Sequence, residues 1–220
     1  DRARLVARGM KAVAGDIAAP ATLADVIASD PPEAVVWVAT ANRADVDAPA
    51  VTAILDGLAG TRAAFVYTSG AWVHGETGDA VIDEDAPLRP IELVEWRVAV
   101  EQRVLETVGV RGIVIRPGIV YGHGGGIPAM LTSSARNDGA ARFVGTGQNR
   151  WPVVFIEDLA DLYRRAVESA PARTVLLGVA PSAFSVLEIA RAASEGAGAN
   201  GRTTSWPLDA ARRELGAFAD

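Results

Sequence analysis

"AVVWVAT", residues 34–40, is an apolar run that ends in a threonine and has no polar residues alternating with its valines. A strand with one wet face alternates, so an unbroken run reads as a strand buried on both faces. Two more runs of this kind follow, "AAFVYTS" (63–69) and "GIVIRPG" (112–118). Between them lie helical patterns, "DAPAVTAILDGLAG" (47–60), stopped by Gly60, and the long amphipathic "VEWRVAVEQRVLETVG" (94–109). Buried strands separated by helices of about a dozen residues predict a parallel sheet covered on both faces, an α/β fold.

Outward from this centre the same alternation continues. "DRARLVARG" (1–9) reads as a helix tail ended by Gly9, "KAVAG" (11–15) as a short strand, and "PATLADVIAS" (20–29) as a helix. Towards the C-terminus, "PVVFI" (152–156) and "TVLLGVA" (174–180) read as strands flanking the helix "EDLADLYRRAVES" (157–169). Ser185 can cap "VLEIARAAS" (186–194), with Glu188 completing a capping box. "SEGAGANG" (194–201) reads as a flexible loop, and "ARRELGAFAD" (211–220) as a helix.

Composition narrows the function classes. Half of the 220 residues are hydrophobic, enough for one well-buried core with a subsidiary lobe. The 21 basic residues are scattered and outnumbered by 27 acidic ones, which argues against a nucleic-acid surface. With no cysteine, thiolate metal sites and disulfides are excluded, and no metal is expected. No apolar run approaches the roughly 20 residues that span a bilayer, so no membrane partner is expected and a cytoplasmic setting is the default.

In open parallel sheets, ligands meet the carboxyl ends of the strands. Here those ends are "ATANRAD" (39–45), "SGAWVHG" (69–75) and "RPGIVYGHGGG" (116–126), each small or polar where a ligand would approach. Side chains alternate along a strand, so Tyr67 and Ser69 share a face. His74 and Tyr121 lie near the same ends; for all four, a packed ring or a satisfied hydroxyl competes with a catalytic use.

Taken in order, "GDI" (15–17), "VVWVATA" (35–41), "VYTSGAWVHG" (66–75), "DEDAPLRP" (83–90), "IRPGIVYGHGGG" (115–126) and "VGTGQNRWPVVFIEDLADLYRRAVE" (144–168) resemble the extended short-chain dehydrogenase/reductase superfamily, in its NAD(P)-dependent epimerase/dehydratase branch. The likeness runs through nearly the whole chain, and its specificity lies in the order and spacing of the pieces. It implies a doubly wound, Rossmann-like sheet with a small C-terminal lobe over the substrate. The Rossmann-like part would comprise residues 1–125 and 153–182, and the substrate-covering part 126–152 and 183–220.

The resemblance also implies roles. Asp16 and Ile17 would meet the adenine of NAD or NADP, although Asp16 equally suits a turn cap. Ala39, Thr40 and Ala41 would admit the cofactor ribose and phosphate, and Pro117, Gly118 and Ile119 would line the nicotinamide. Arg150 resembles a phosphate-contacting residue, with stacking on Trp151 as its competitor. Asp158 matches a position at a helix start, where a carboxylate suits the dipole. Relatives dimerise through the helices that correspond to 45–58 and 94–109, and Trp96, Val100, Val104 and Leu105 could face either such a partner or the sheet.

Two departures from the family pattern stand out. Members place a Ser or Thr, and a Tyr four residues before a Lys, around the reacting carbonyl, because a nearby ammonium brings the phenol towards working pH. This sequence has Gly70, Leu93 and Arg97 at those positions. Arg97 can donate to a cofactor ribose but does not relay protons as an amine does. Ser69, Tyr67 and Arg97 are therefore the candidate catalytic residues. A divergent subgroup of the superfamily also lacks the Tyr and Lys while keeping an Arg and a Glu on this helix, here Arg97 and Glu101.

The second departure is the lack of a "G-x-x-G-x-x-G" loop, which would set backbone amides and a helix N-terminus against the pyrophosphate. "GHGGG" (122–126) follows the wrong strand. The expectation is a fragment short of roughly 30 to 50 upstream residues, one strand–helix–strand unit, and inactive by itself. The expected function of the longer protein is an NAD(P)-binding oxidoreductase or epimerase acting on a small carbonyl, sugar-like or steroid-like substrate; the alternative is a non-catalytic NAD(P) sensor.

Overall fold

The computed structural model describes residues 2–78 and 80–219. Its elements in chain order are α1 (Arg2–Ala7), α2 (Pro20–Ser29), β1 (Ala34–Trp37), α3 (Ala44–Leu58), β2 (Ala64–Thr68), α4 (Trp96–Glu106), β3 (Arg111–Pro117), β4 (Ile119–Tyr121) and α5 (Ile127–Asp138). They continue with β5 (Ala141–Val144), β6 (Arg150–Phe155), α6 (Ile156–Ser169), β7 (Thr174–Gly178), β8 (Ala183–Ser185), α7 (Val186–Gly196), β9 (Thr203–Trp206) and α8 (Leu208–Leu215). Short 3-10 turns cover Ala71–His74, Glu92–Val94 and Gly216–Ala219.

The apolar runs form a parallel sheet in the order β1-β2-β3-β7. Every residue of β2 from Ala64 to Tyr67 is buried, as a strand covered on both faces should be. On one face α3 and α4 bury Leu55, Leu58, Val100 and Val104 against Phe65, Tyr67 and Val114. On the other, α6 packs Leu159 and Ala166 on Val66, Ile113 and Ile115. Arg111 anchors the end of α6 by donating to the carbonyls of Ala166 and Val167 in its last turn and of Ala170 just beyond it, where the helix leaves carbonyls short of amide partners. Trp96, Val100, Val104 and Leu105 all belong to the sheet-side cluster.

"KAVAG" is not a strand. Residues 10–16 run as irregular backbone with Met10 and Val13 exposed. A strand persists only where its amides and carbonyls are paired, and this segment has no partner strand among the described residues. The outer edge of β1 likewise has no neighbour among the described residues, and Val36 and Val38 lie exposed there.

A second lobe holds Leu131, Phe143, Val186 and Ala190 in its own cluster, with β5 parallel to β9. A small sheet, β4-β6-β8, joins the lobes. The capping box on α7 is formed in full by Ser185 and Glu188. "SEGAGANG" is only partly a loop, because α7 continues through Ser194–Gly196 before positive-φ residues Gly198, Asn200 and Gly201 turn the chain. Asp1 and Asp220, the outer residues of two predicted helices, lie outside the described residues. Among the described residues no helix is long and apolar enough to cross a membrane.

Candidate functional site at the carboxyl ends of the strands

The register brings three segments to one end of the sheet. Trp37 pairs with Tyr67, Thr68 with Ile115, and Pro117 with Gly178. Residues 38–43, 69–74 and 117–119 therefore emerge side by side, as expected for a ligand-binding end.

Arg97, on the first turn of α4, is the hub of this end. It is buried, and its Nη1 donates to the carbonyls of Thr68 (3.3 Å) and Ser69 (2.9 Å), while Nη2 donates to Asn42 Oδ1 (3.1 Å). Two polar groups here stay without a protein partner, Arg97 Nε and Ser69 Oγ, both in residues more than nine-tenths buried. A buried donor left unpaired is costly, so each is suited to meet an oxygen of a bound molecule. Gly70 has extended backbone, and a Cβ there would touch nothing, so it leaves space where the family places a hydroxyl.

Tyr67 is placed differently from the expectation. Its side chain lies 2% exposed in the core between sheet and helices. Burial pushes its phenol well above the ordinary value, against a smaller opposing effect of the Arg97 charge. Its position is that of a packing residue, which does not suit a proton relay near neutral pH. Leu93 sits half-buried in the 3-10 turn ahead of α4.

The loop after β1 is held by a residue that spacing did not single out. Asp47, 1% exposed in the first turn of α3, accepts from the amides of Ala41 and Arg43. This fixes the exposed segment Ala39–Ala41 and leaves Asn42 in the left-handed region, φ 54°, facing Arg97. The Ala41 amide is thus committed within the protein. Asp16 closes the turn into α2 by accepting from Ala18 N (2.9 Å), and Ile17 packs against the core. Arg150 donates to the carbonyl of Ala183, and Asp158 lies exposed in the first turn of α6.

Pro117 and Ile119 are buried and Gly118 half-buried. A Cβ on Gly118 would lie 2.5 Å from the Pro152 carbonyl oxygen, so the close approach of β6 requires glycine there. Thr68 carries a hydrogen-bond chain on the opposite face, donating to the Trp37 carbonyl (2.5 Å) and meeting Tyr163 Oη (2.6 Å).

One turn along α4 from Arg97, Glu101 forms a buried ion pair with Arg116 of β3, with Nη2 to Oε2 at 2.7 Å and Nε to Oε2 at 3.1 Å. Arg116 Nη1 reaches His74 Nε2 (3.2 Å) and the Glu84 carbonyl (3.3 Å), and Glu84 Oε1 accepts from Leu177 N (2.9 Å). One guanidinium therefore ties α4, β3 and the segments at 74 and 84 together beneath the site. A charged residue inside the apolar run "GIVIRPG" was the legible signal, because a buried charge needs a partner.

Because arginine only donates, His74 Nε2 must accept, which puts the ring proton on Nδ1 beside the Pro87 carbonyl, although no well-formed hydrogen bond is made there. Burial first, and the Arg116 charge second, hold the imidazole below its ordinary value, against weaker opposite effects of Glu101, the Pro87 carbonyl and Glu84. The folded state thus binds this proton less readily than the unfolded chain, whose His titrates near ~6.5. The stability it contributes is present above about pH 6.5 and is lost as pH falls through the lower folded value. Melting temperature is expected to drop in this window, above the carboxylate range, and His74→Asn should flatten the drop; an unchanged slope in the variant would show that His74 is not its source.

Among the described residues no three His, Asp or Glu side chains gather as a metal-ligand set. Arg97 Nε and Ser69 Oγ are donors of the kind that a nicotinamide ribose would meet, at the end of the sheet where Pro117–Ile119 also emerge. For the pyrophosphate, no glycine-rich loop leads from a strand of the large sheet into a helix among the described residues.

Comparison with known proteins gives the family and the fold. The NAD dependent epimerase/dehydratase family matches residues 1–178. An uncharacterized protein of Schizosaccharomyces pombe is 32% identical over 149 residues, 66% of this chain and 49% of its own. Epimerase family protein SDR39U1 of Homo sapiens is 30% identical over 133 residues, 58% of this chain and 44% of its own. The chain spans about half the length of these curated relatives. Among solved structures, the dTDP-glucose 4,6-dehydratase of Bacillus anthracis in complex with NAD superimposes with a TM-score of 0.78 at 16% identity, covering 89% of this chain and 67% of that one. RMD from Pseudomonas aeruginosa complexed with NADPH gives 0.74 at 20% identity, covering 89% and 76%. The fold is thus the Rossmann-like one of these enzymes, and the chain belongs to the NAD dependent epimerase/dehydratase family.

Proposed function

We propose that the gene's complete product binds NAD or NADP at this end of the sheet and acts as an oxidoreductase or epimerase/dehydratase-like enzyme on a small carbonyl compound, sugar-like or steroid-like, in the cytoplasm. The observation that carries the reading is the pair of buried, unpartnered groups, Ser69 Oγ and Arg97 Nε, at the end of the sheet from which Pro117–Ile119 also emerge. A bound nicotinamide would supply or accept the hydride. The chain's own part is electrostatic. Arg97 is a fixed cation whose Nε–H donates to an oxygen gaining negative charge, with Ser69 as second donor. Asn42 and the Thr68 and Ser69 carbonyls hold the guanidinium plane, and Asp47 holds the loop that carries Asn42.

One observation favours a second reading, a non-catalytic NAD(P) sensor: Arg97 already serves three protein acceptors, and Tyr67 is in the core. Self-association through α3 and α4 would use their outward residues, among them Asp56, Gln102, Arg103 and Glu106, which makes for a polar contact.

Thermal melting of the complete gene product with NAD(H) and NADP(H) tests the cofactor claim. A clear rise with one form is expected, because a ligand that binds only the folded state stabilises it. A cooperative melt indifferent to all four nucleotides would overturn both readings. Turnover on a carbonyl panel separates enzyme from sensor.

A further inference from the structure

We propose that the side chain of Asn42 is a gate over Arg97, closed in this structure and opened when a ligand oxygen takes its place. The inference deepens the functional reading above and rests on it only for the identity of the ligand.

Something at this end of the sheet must move before a ligand can be held. Arg97 Nε and Ser69 Oγ lack a protein partner, and both atoms are also shut off from solvent. An incoming oxygen therefore reaches them only when a neighbouring group gives way. Most of the surroundings are fixed. The Ser69 amide donates to the Ile115 carbonyl (2.8 Å), so the Thr68 and Ser69 carbonyls that take Arg97 Nη1 are held by the sheet. The Trp96 ring stands over the guanidinium, its centroid 5.0 Å from Cζ, and Trp96 itself packs on the cluster between sheet and helices.

Asn42 is the exception. Of the three acceptors that Arg97 serves, it alone lies on an exposed segment, joined by the single bond from Nη2 (3.1 Å). Thr40 Oγ1 adds a long contact of 3.5 Å to the same oxygen. Exchanging one acceptor of a hydrogen bond for another has little net cost, so a ligand oxygen can replace the Asn42 amide oxygen.

The backbone beneath is held while the side chain turns. Ala41 N and Arg43 N donate to the buried Asp47, and Asn42 N donates to Thr40 Oγ1 (2.9 Å), so three successive amides are committed within the protein. Asp47 is thereby the frame of the gate, and the Asn42 side chain is its moving part. At φ 54° the Asn42 backbone has a conformation that asparagine and glycine adopt more readily than other residues.

The test uses the complete gene product as wild type, Asn42→Gly and Asn42→Asp. Glycine removes the side chain and keeps the left-handed backbone, whereas aspartate sets a charged acceptor against Arg97 and holds the gate shut. Exchange of the Arg97 Nε–H with solvent is read by heteronuclear NMR, its signal being assigned by loss in Arg97→Lys. Exchange is expected to be about tenfold faster than wild type in Asn42→Gly and about tenfold slower in Asn42→Asp, because it follows the open population. NADH and NADPH binding, followed by nicotinamide fluorescence, should strengthen about threefold in the first and weaken about threefold in the second, since a ligand that needs the open state binds in proportion to it. Equal exchange in all three proteins would overturn the gate. So would exchange that moves as expected while nucleotide affinity stays the same in all three. Exchange that moves as expected in a protein that binds neither nucleotide would uphold the gate and overturn the cofactor reading. The aspartate variant guards against loss of fold in the glycine one, because unfolding cannot slow exchange.

Discussion

Glu101→Gln is expected to cost the fold about 3–5 kcal/mol, the range for breaking a buried ion pair from one side. Glu101 and Arg116 are both less than one-twentieth exposed, so the variant leaves a guanidinium charge in the interior with no countercharge, facing only neutral acceptors: the introduced amide oxygen, His74 and the Glu84 carbonyl. The loss comes from stranding that charge more than from losing the attraction, because two charges brought out of water gain little net stability from each other. Replacing both residues by methionine should therefore recover most of what the single change loses. Urea denaturation of Glu101→Met, Arg116→Met and the double variant closes the cycle. A loss below about 1 kcal/mol in Glu101→Gln would indicate a hydrated pair of the surface kind.

The second large effect concerns Arg97. If its Nε–H donates to an oxygen that gains charge in the reaction, Arg97→Met lowers kcat about 10²- to 10³-fold with little change in KM, as for loss of one oxyanion donor. Arg97→Lys should recover only part, because an ammonium cannot reproduce three planar donations to Thr68 O, Ser69 O and Asn42 Oδ1. A purely architectural Arg97 would show instead a lower melting temperature with kcat and KM moving together. That outcome would take Arg97 out of the reaction and leave it a role in holding the fold.

The strands at 34–37, 64–68 and 111–117 were legible because burial on both faces writes an unbroken apolar run. "KAVAG" misled for the opposite reason: it has strand-like residues, but a strand is a property of a pair, and no partner lies beside it among the described residues. β4, β5, β8 and β9 are three or four residues long, too short for periodicity to register.

In the candidate site, Arg97 was singled out by its spacing in a family pattern and Ser69 as the neighbour of Gly70, and in the structure Arg97 donates to the Ser69 carbonyl. Asp47 and Asn42 were missed because both act on or through a loop backbone, which no side-chain motif records. Tyr67 looked suitable in one dimension since it shares a face with Ser69. In space that face turns into the core, two residues before the strand reaches its polar end.

The most direct measurement is a crystal structure of the complete gene product with NADH or NADPH bound. The account predicts the nicotinamide against Pro117–Ile119, with Arg97 Nε and Ser69 Oγ facing its ribose or the substrate oxygen beside it. A nucleotide bound elsewhere, or one bound here with those two groups still unpartnered, would contradict it.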